Sequence, residues 1–330
     1  MQLIRQAAEL QTNGRKVCLA IGVFDGVHLG HQQIIRQTIA DAHQHGGIAL
    51  VVTFDRHPNA IVAPDRVPPQ IYPLAQKLRT IESLGADATL LIEFNRAFSE
   101  QTGETFIRGL ARDLGSVGAR VCDPLQPDEA GSAAGHRPAL QSICVGADFV
   151  FGHKRSGNVP LLRQLGAELG FTVHGMAAVA LDGEVVSSTR IRAAIQFGDF
   201  DAASQMLGRP YSISGPVVHG DQLGNKLGFP TANLDVTALV LPPDGVYAAW
   251  VLMNGNLHQA VLNLGTRPTV QTSKHQRRFE VHLLDFTGDL YGKELEVEFV
   301  AKLRDEMKFA SLDALKAQIA ADISAAAKCF

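Results

Sequence analysis

Residues Gly22-Val23-Phe24-Asp25-Gly26-Val27-His28-Leu29-Gly30-His31 join an apolar run at 17–24 to a stretch of helical period at 31–45. A buried strand that passes through a glycine-rich turn into a helix leaves the helix N–H groups pointing outward, where phosphate oxygens suit them. His28 and His31 are three apart, so both imidazoles fall on one side of a first helical turn and aim at the same small volume. Such a pair would stabilise charge on an ATP α-phosphate as a substrate phosphate attacks and pyrophosphate leaves. Chemistry of this kind depends on positioning and electrostatics more than on covalent help.

The same alternation continues outward from this loop. Apolar runs at 17–24, 48–55, 88–94 and 142–149 read as strands, with helices at 31–45, 74–84, 103–114 and 159–169 between them. This order predicts a parallel sheet covered by helices on both faces, a doubly wound, Rossmann-like α/β arrangement. Residues 116–137, rich in Pro, Gly and small side chains, read as an exposed, mobile loop. A helical period runs from Ser188 through Gln205 until Gly208-Arg209-Pro210 breaks it, which places a domain boundary between 208 and 209. Beyond it, strands expected at 245–253, 258–264, 278–286 and 295–303 imply a small antiparallel β-barrel. An Ala-rich helix at 311–327 closes the chain, with Ser311 as N-cap and Asp313 in its first turn.

At 330 residues the chain exceeds what one core usually serves, in keeping with domains at 1–208 and 209–330. A formal net charge of -3 argues against a partner bound through a basic face, nucleic acid above all. Residues 1–11 lack the apolar core of a secretory signal, and no apolar run reaches membrane-spanning length, so a cytoplasmic location without membrane partners is expected. Cys18, Cys122, Cys144 and Cys329 are scattered and suggest neither a zinc site nor a disulfide framework.

Two further stretches suit phosphates. Ser187-Ser188-Thr189-Arg190-Ile191-Arg192 opens a helix with hydroxyls and N–H groups, and cations follow one turn in. Gly224-Asn225-Lys226-Leu227-Gly228-Phe229-Pro230-Thr231-Ala232-Asn233-Leu234 pairs a glycine stretch with a Pro-fixed turn. In extended backbone Thr231 and Asn233 share a face and offer oxygens to magnesium, although the same string also reads as an ordinary hairpin loop.

The H-x-G-H at His28–His31 and the S-S-T-x-I-R at 187–192 resemble the nucleotidyltransferase superfamily. Thr53-Phe54-Asp55-Arg56-His57-Pro58 and Val145-Gly146-Ala147-Asp148-Phe149-Val150-Phe151-Gly152 resemble the patterns of prokaryotic FAD synthetases, with Arg56 standing where that family has Pro. The stretch 224–234 resembles the riboflavin kinase signature, as do Gly245-Val246-Tyr247, Asn263-Leu264-Gly265-Thr266-Arg267-Pro268-Thr269, 279–286 and 303–309. The likeness thus implies the bifunctional riboflavin kinase and FMN adenylyltransferase family, acting on riboflavin, FMN, FAD and ATP with Mg2+. It also implies residue roles. Glu280 would be the kinase base, beside His28 and His31 as the catalytic pair of the other half. Nucleotide would meet Gly22, Phe24, Asp25, Gly30, Ser188, Thr189 and Arg192 in one half, and Gly224, Lys226 and Gly228 in the other. Flavin would meet Asp55, His57, Asp148, Phe149, Arg304 and Glu306, and metal would meet Thr231 and Asn233. A chain retaining one activity, or a flavin-binding protein without turnover, are the alternative readings, and oligomeric state is not legible.

Overall fold

Val17–Ile21 is buried at every position, the mark of a strand covered on both faces. In the computed structural model, which describes residues 1–116, 139–220, 224, 227–267 and 276–330, this strand lies inside a six-stranded sheet. Its members are β1 (Gln2–Ile4), β2 (Val17–Ile21), β3 (Ile48–Phe54), β4 (Ala88–Ile92), β5 (Leu140–Gly146) and β6 (Thr172–Met176). They run in the order β1-β4-β3-β2-β5-β6, and every pairing is parallel. The helices are α1 (Leu29–Gln44), α2 (Leu74–Ser83), α3 (Gly103–Ser116) and α4 (Val159–Leu169).

Alternation along the strands feeds two cores. Leu19, Ile21, Leu50 and Ile143 pack with Ile107, Leu110 and Leu162 of α3 and α4 on one face. Ala20, Val51 and Cys144 pack with Ile34 and Ile35 of α1 and Ile81 of α2 on the other. Each such aliphatic side chain contributes roughly 1.5–3 kcal/mol by leaving water. The expected doubly wound α/β arrangement is therefore present. Strands end earlier than the apolar runs do, because the chain leaves the sheet at Gly22 and at Asp55 to build loops. The loop expected at 116–137 lies, apart from Ser116, outside the described residues.

Two compact units result, Met1–Pro68 with Lys77–Val186, and Pro69–Gln76 with Ser187–Phe330. In the second unit, α5 (Ser188–Phe197) and α6 (Phe200–Leu207) precede β7 (Ser212–Val218), β8 (Ala232–Leu234), β9 (Gly245–Met253), β10 (Asn256–Arg267), β11 (Gln276–Leu283), β12 (Glu294–Arg304) and α7 (Leu312–Ala326). The strands close a barrel in the order β7-β8-β11-β10-β9-β12, antiparallel throughout. The two-residue turn Asn254-Gly255, with φ of 50° and 81°, is the left-handed pair that a tight β9–β10 hairpin demands.

The single helical period read from 188 to 205 is two helices. Gly198 takes a left-handed φ of 77°, and the Asp199 side chain accepts from Ala202 N at 2.9 Å to start α6. Phe200 of α6 then stacks 4.8 Å from Phe299 and meets Tyr211 and Tyr247, so it completes the aromatic end of the barrel core. Residues 69–76 join this unit through Gln76, which donates to Ser212 Oγ at 2.8 Å and accepts from Ser214 N at 3.1 Å. Outside the barrel, Val246, Ala248 and Val261 carry Ile323 and Ala326 of α7, whose N-cap Ser311 accepts from Ala314 N at 3.1 Å as expected.

Candidate functional site

In the first unit strand order reverses between β2 and β5, the place where open α/β sheets leave a crevice at their carboxyl ends. The loop leaving β2 there is bent hard. Phe24, Gly26 and Val27 have φ of 51°, 74° and 40°, and for the β-branched Val27 that is a strained backbone. Burial of the Phe24 and Val27 side chains in the α1-side core holds the loop in this shape. His28 then caps α1, and its ring stacks on that of His31 at 3.6 Å with 20° between planes. Phe24 meets His31 edge-on at 5.2 Å. Burial, the neighbouring His28 and Lys77 push the His31 pKa well below its ordinary value, so this ring is neutral at pH 7. Its buried Nδ1 has no hydrogen-bond partner among the described residues. A Cβ at Gly30 would sit 3.3 Å from His28 Cε1, so that glycine lets the ring lie against the backbone. Asp25 is buried beneath the same loop.

Beside it, burial would push the Asp55 carboxyl up. Hydrogen bonds from Arg56 Nε at 2.9 Å, Arg56 Nη2 at 2.7 Å and Phe94 N at 2.9 Å outweigh that and hold it below the usual range. His57 Nδ1 accepts from Asn59 N at 3.1 Å. Asp148 is exposed, and Phe149 stacks on Phe151 at 5.1 Å. The row extends from Phe151 through Phe106, Phe98 and Phe94 to Phe54, an aromatic wall that sequence reading missed because its members are spread over four segments. Lys77 was missed as well. Its signal was a charge within the otherwise apolar stripe of Leu74, Ile81 and Leu84.

The hydroxyl-rich helix start belongs to the second unit. Ser187 caps α5, accepting from Arg190 N at 3.3 Å, and leaves Ser188 half-buried and Thr189 exposed. Arg192 Nε donates to Pro69 O at 2.7 Å.

On the barrel the inward residues of β8, β11 and β10 are apolar (Ala232, Leu234, Phe279, Val281, Leu262, Leu264), so the intervening residues face outward. Register then aligns one transverse row: Asn233 pairs with Glu280, Glu280 with Asn263, Asn263 with Val246, and Val246 with Arg304. Neighbouring strands lie about 4.8 Å apart, so the five positions span about 19 Å. All five line one cavity of ≈310 Å³, with Thr231, Glu306 and, from α7, Ile319 and Ile323.

Details of this cavity bear on each expected role. Arg278 Nη1 lies 3.4 Å from Glu280 Oε1. His282 Nδ1 donates to Pro230 O at 2.7 Å, which ties the Pro-Thr turn to β11. Arg304 clasps the buried Asp322 of α7 through Nε at 2.9 Å and Nη2 at 2.7 Å. Burial, then Asp244, pushes the Glu306 carboxyl up, although Thr266 N donates to it. A Cβ on Gly220 would overlap the Asn233 amide, and one on Gly224 would overlap the Phe229 carbonyl oxygen and lie 3.0 Å from Thr231 Oγ1. The Thr231 hydroxyl and the Asn233 amide offer neutral, hard oxygens of the kind magnesium takes, water and phosphate completing its shell. Gly228 is exposed with φ of 89°. Lys226 lies outside the described residues.

Comparison with known proteins adds the following. A family model described as FAD synthetase matches residues 10–118 and 136–190, and one described as riboflavin kinase matches 207–330. The bifunctional riboflavin kinase/FMN adenylyltransferase of Pseudomonas fluorescens is 38% identical over 99% of this chain and 97% of its own. That of Escherichia coli K12 is 38% identical over 98% and 96%. A solved structure from Streptococcus pneumoniae, described as a macrolide-efflux protein, is 26% identical, covers 99% of both chains and has a TM-score of 0.75. Among the described residues no helix is long and apolar enough to cross a membrane.

Proposed function

Because the chain belongs to the family of bifunctional riboflavin kinases and FMN adenylyltransferases, we propose how its residues divide the family's two reactions. Riboflavin and ATP give FMN and ADP in one, and FMN and ATP give FAD and pyrophosphate in the other. The observation that carries the division is that the stacked imidazoles and the Asn233–Glu280 row lie in two different compact units.

For adenylyl transfer, the FMN phosphate is the nucleophile and the ATP α-phosphate the centre attacked. His28 and His31 donate N–H groups to the oxygens on which charge builds, the neutral His31 ring offering one such N–H. Gly22, Phe24, Asp25 and Gly30 shape the phosphate loop. Ser188, Thr189 and Arg192 are assigned to nucleotide on their motif. Asp55, His57, Asp148 and Phe149 are assigned to flavin, and the aromatic wall supports this with stacking surface of flavin-like character.

For phosphorylation, Glu280 accepts the proton of the riboflavin 5′-hydroxyl. It stands one strand from Asn233, so its carboxylate is next to the place where the γ-phosphate is held. Gly224, Lys226 and Gly228 are assigned to nucleotide, and Arg304 and Glu306, at the far end of the row, to flavin. Thr231 and Asn233 would hold Mg2+, which when bound neutralises phosphate charge. The functional boundary is placed between 208 and 209, supported by a riboflavin kinase match beginning at 207. A cytoplasmic location fits the use of ATP and the free thiols Cys18, Cys144 and Cys329.

The test is incubation with riboflavin, ATP and Mg2+, with FMN and FAD resolved over time. His28→Ala is expected to abolish FAD formation while FMN still accumulates, and Glu280→Ala to abolish FMN formation while supplied FMN is still adenylylated. Loss of both activities in either variant would refute the division.

A further inference from the structure

Lys77 is 7% exposed, a rare place for an ammonium group unless something requires it. Its Nζ lies 2.9 Å from Phe54 O, 3.3 Å from Val23 O and 3.3 Å from Thr53 Oγ1. Thr53 Oγ1 itself donates to Val23 O at 3.1 Å. The three acceptors belong to the carboxyl ends of β2 and β3, where the phosphate loop and the Asp55–His57 loop begin. The ammonium therefore fastens one loop to the other from below.

The charged and titratable groups facing it come from three elements. Asp25 projects from the loop after β2, Asp55 from the loop after β3, and His31 from the start of α1. Arg56 is turned to Asp55 and shares that carboxylate. Burial lowers the Lys77 pKa to about 8, and Asp25 and Asp55 oppose the fall. The same positive charge is one of the causes that keep His31 neutral.

We propose that Lys77 is a positioning residue for adenylyl transfer, its ammonium locking the Val23 and Phe54 carbonyls so that the His28–His31 pair and Asp55 face one substrate space. It also supplies a fixed positive charge behind the loop that receives anionic phosphates. This rests on the assignment of adenylyl transfer to His28 and His31. It adds that the geometry of that pair depends on a cation that touches no substrate.

The test measures FAD formation from FMN and ATP by the full chain, as kcat/KM from about pH 6 to about pH 9.5, a range that reports ionisations of the free enzyme. The wild-type chain is expected to lose activity above about pH 8, as Lys77 gives up its proton. Lys77→Met keeps the stem but removes charge and donors. It is expected to fall roughly 10- to 100-fold at neutral pH, chiefly in kcat, and to lose the alkaline limb. Lys77→Gln keeps a donor without charge and is expected to fall less, with the limb equally absent. Cooperative urea unfolding of the first unit, followed in the same preparations, reports whether the part of the chain that carries Lys77 is folded. Should Lys77→Met fail to fold, Lys77→Gln and the wild-type profile decide the matter.

A wild-type profile flat above pH 8, a limb that persists in either variant, or a folded Lys77→Met at the wild-type rate would each overturn the proposal. Retained FAD formation in His28→Ala would instead overturn the underlying assignment. Loss in His28→Ala with none in Lys77→Met would remove Lys77 alone.

Discussion

Replacing Gly265 by alanine is expected to lower riboflavin phosphorylation on the order of 10²-fold with little loss of stability. Gly265 lies on β10 two residues beyond Asn263, and the Glu306 carboxylate rests directly over its Cα. An added Cβ would overlap Oε1 and Cδ of that side chain and stand 2.8 Å from Oε2. Ordinary carbon–oxygen contact needs roughly 3.5 Å, so the carboxylate must move by an ångström or more. The obstruction is the free end of a flexible side chain, and an off-rotamer torsion or a new rotamer relieves it for about 0.5–1.5 kcal/mol. A displacement of about 1 Å at a positioned group costs on the order of 10²-fold in rate. Gly265→Ala should therefore lower kcat/KM for riboflavin by roughly that factor, with its unfolding free energy reduced by about 1.5 kcal/mol at most. The decisive assay is a double-mutant cycle with Glu306→Ala, measured by FMN formation. If the methyl acts only by expelling the carboxylate, the double variant is no worse than Glu306→Ala alone. Losses that simply multiply, or unchanged phosphorylation in Gly265→Ala, would refute the reasoning.

Asp322→Ala leaves Arg304 half-buried without its bidentate partner and removes the acceptor of Gln318 Nε2 at 2.9 Å. Breaking such a pair costs about 3–5 kcal/mol, so urea unfolding of the barrel unit should shift by that amount, and a shift below about 1 kcal/mol would contradict it. Arg56→Ala removes hydrogen bonds that depress the Asp55 pKa. A depressed carboxylate contributes stability that is present above its unfolded value and lost as pH falls through its folded one. Without Arg56 the folded value moves up toward the unfolded one, so the loss should be smaller and complete at higher pH, as followed by acid titration of unfolding. An unchanged acid limb would contradict it.

The two ends of the chain were legible for different reasons. Three-residue spacing was enough to bring His28 and His31 together, because a helix start fixes that geometry locally. Two-residue spacing likewise placed Thr231 and Asn233 on one face. Strand alternation gave the parallel sheet, yet β1 and β6 went unread, the first for having three residues and the second for the half-exposed pattern of an edge. The break at Gly198 was hidden because the apolar period resumes after it. The aromatic wall depends on contacts between distant segments, to which no local pattern points, and the charge in an apolar stripe that marks Lys77 does not say which carbonyls it meets. Arg304 was read for its motif, but its tie to Asp322, 18 residues later, is a tertiary fact.

The transverse row on the barrel has a bearing on how this half of the chain can vary. Its spacing is set by backbone hydrogen bonds, not by the identity of the side chains packed around it, so the neighbours of Asn233, Glu280 and Asn263 can drift in sequence without altering the interval between them. Length cannot drift in the same way. One residue gained or lost within β8, β10 or β11 would turn every following side chain on that strand to the opposite face, sending Glu280 or Asn263 into the apolar interior. Insertions should therefore be confined to the turns, while substitutions are spread along the strands.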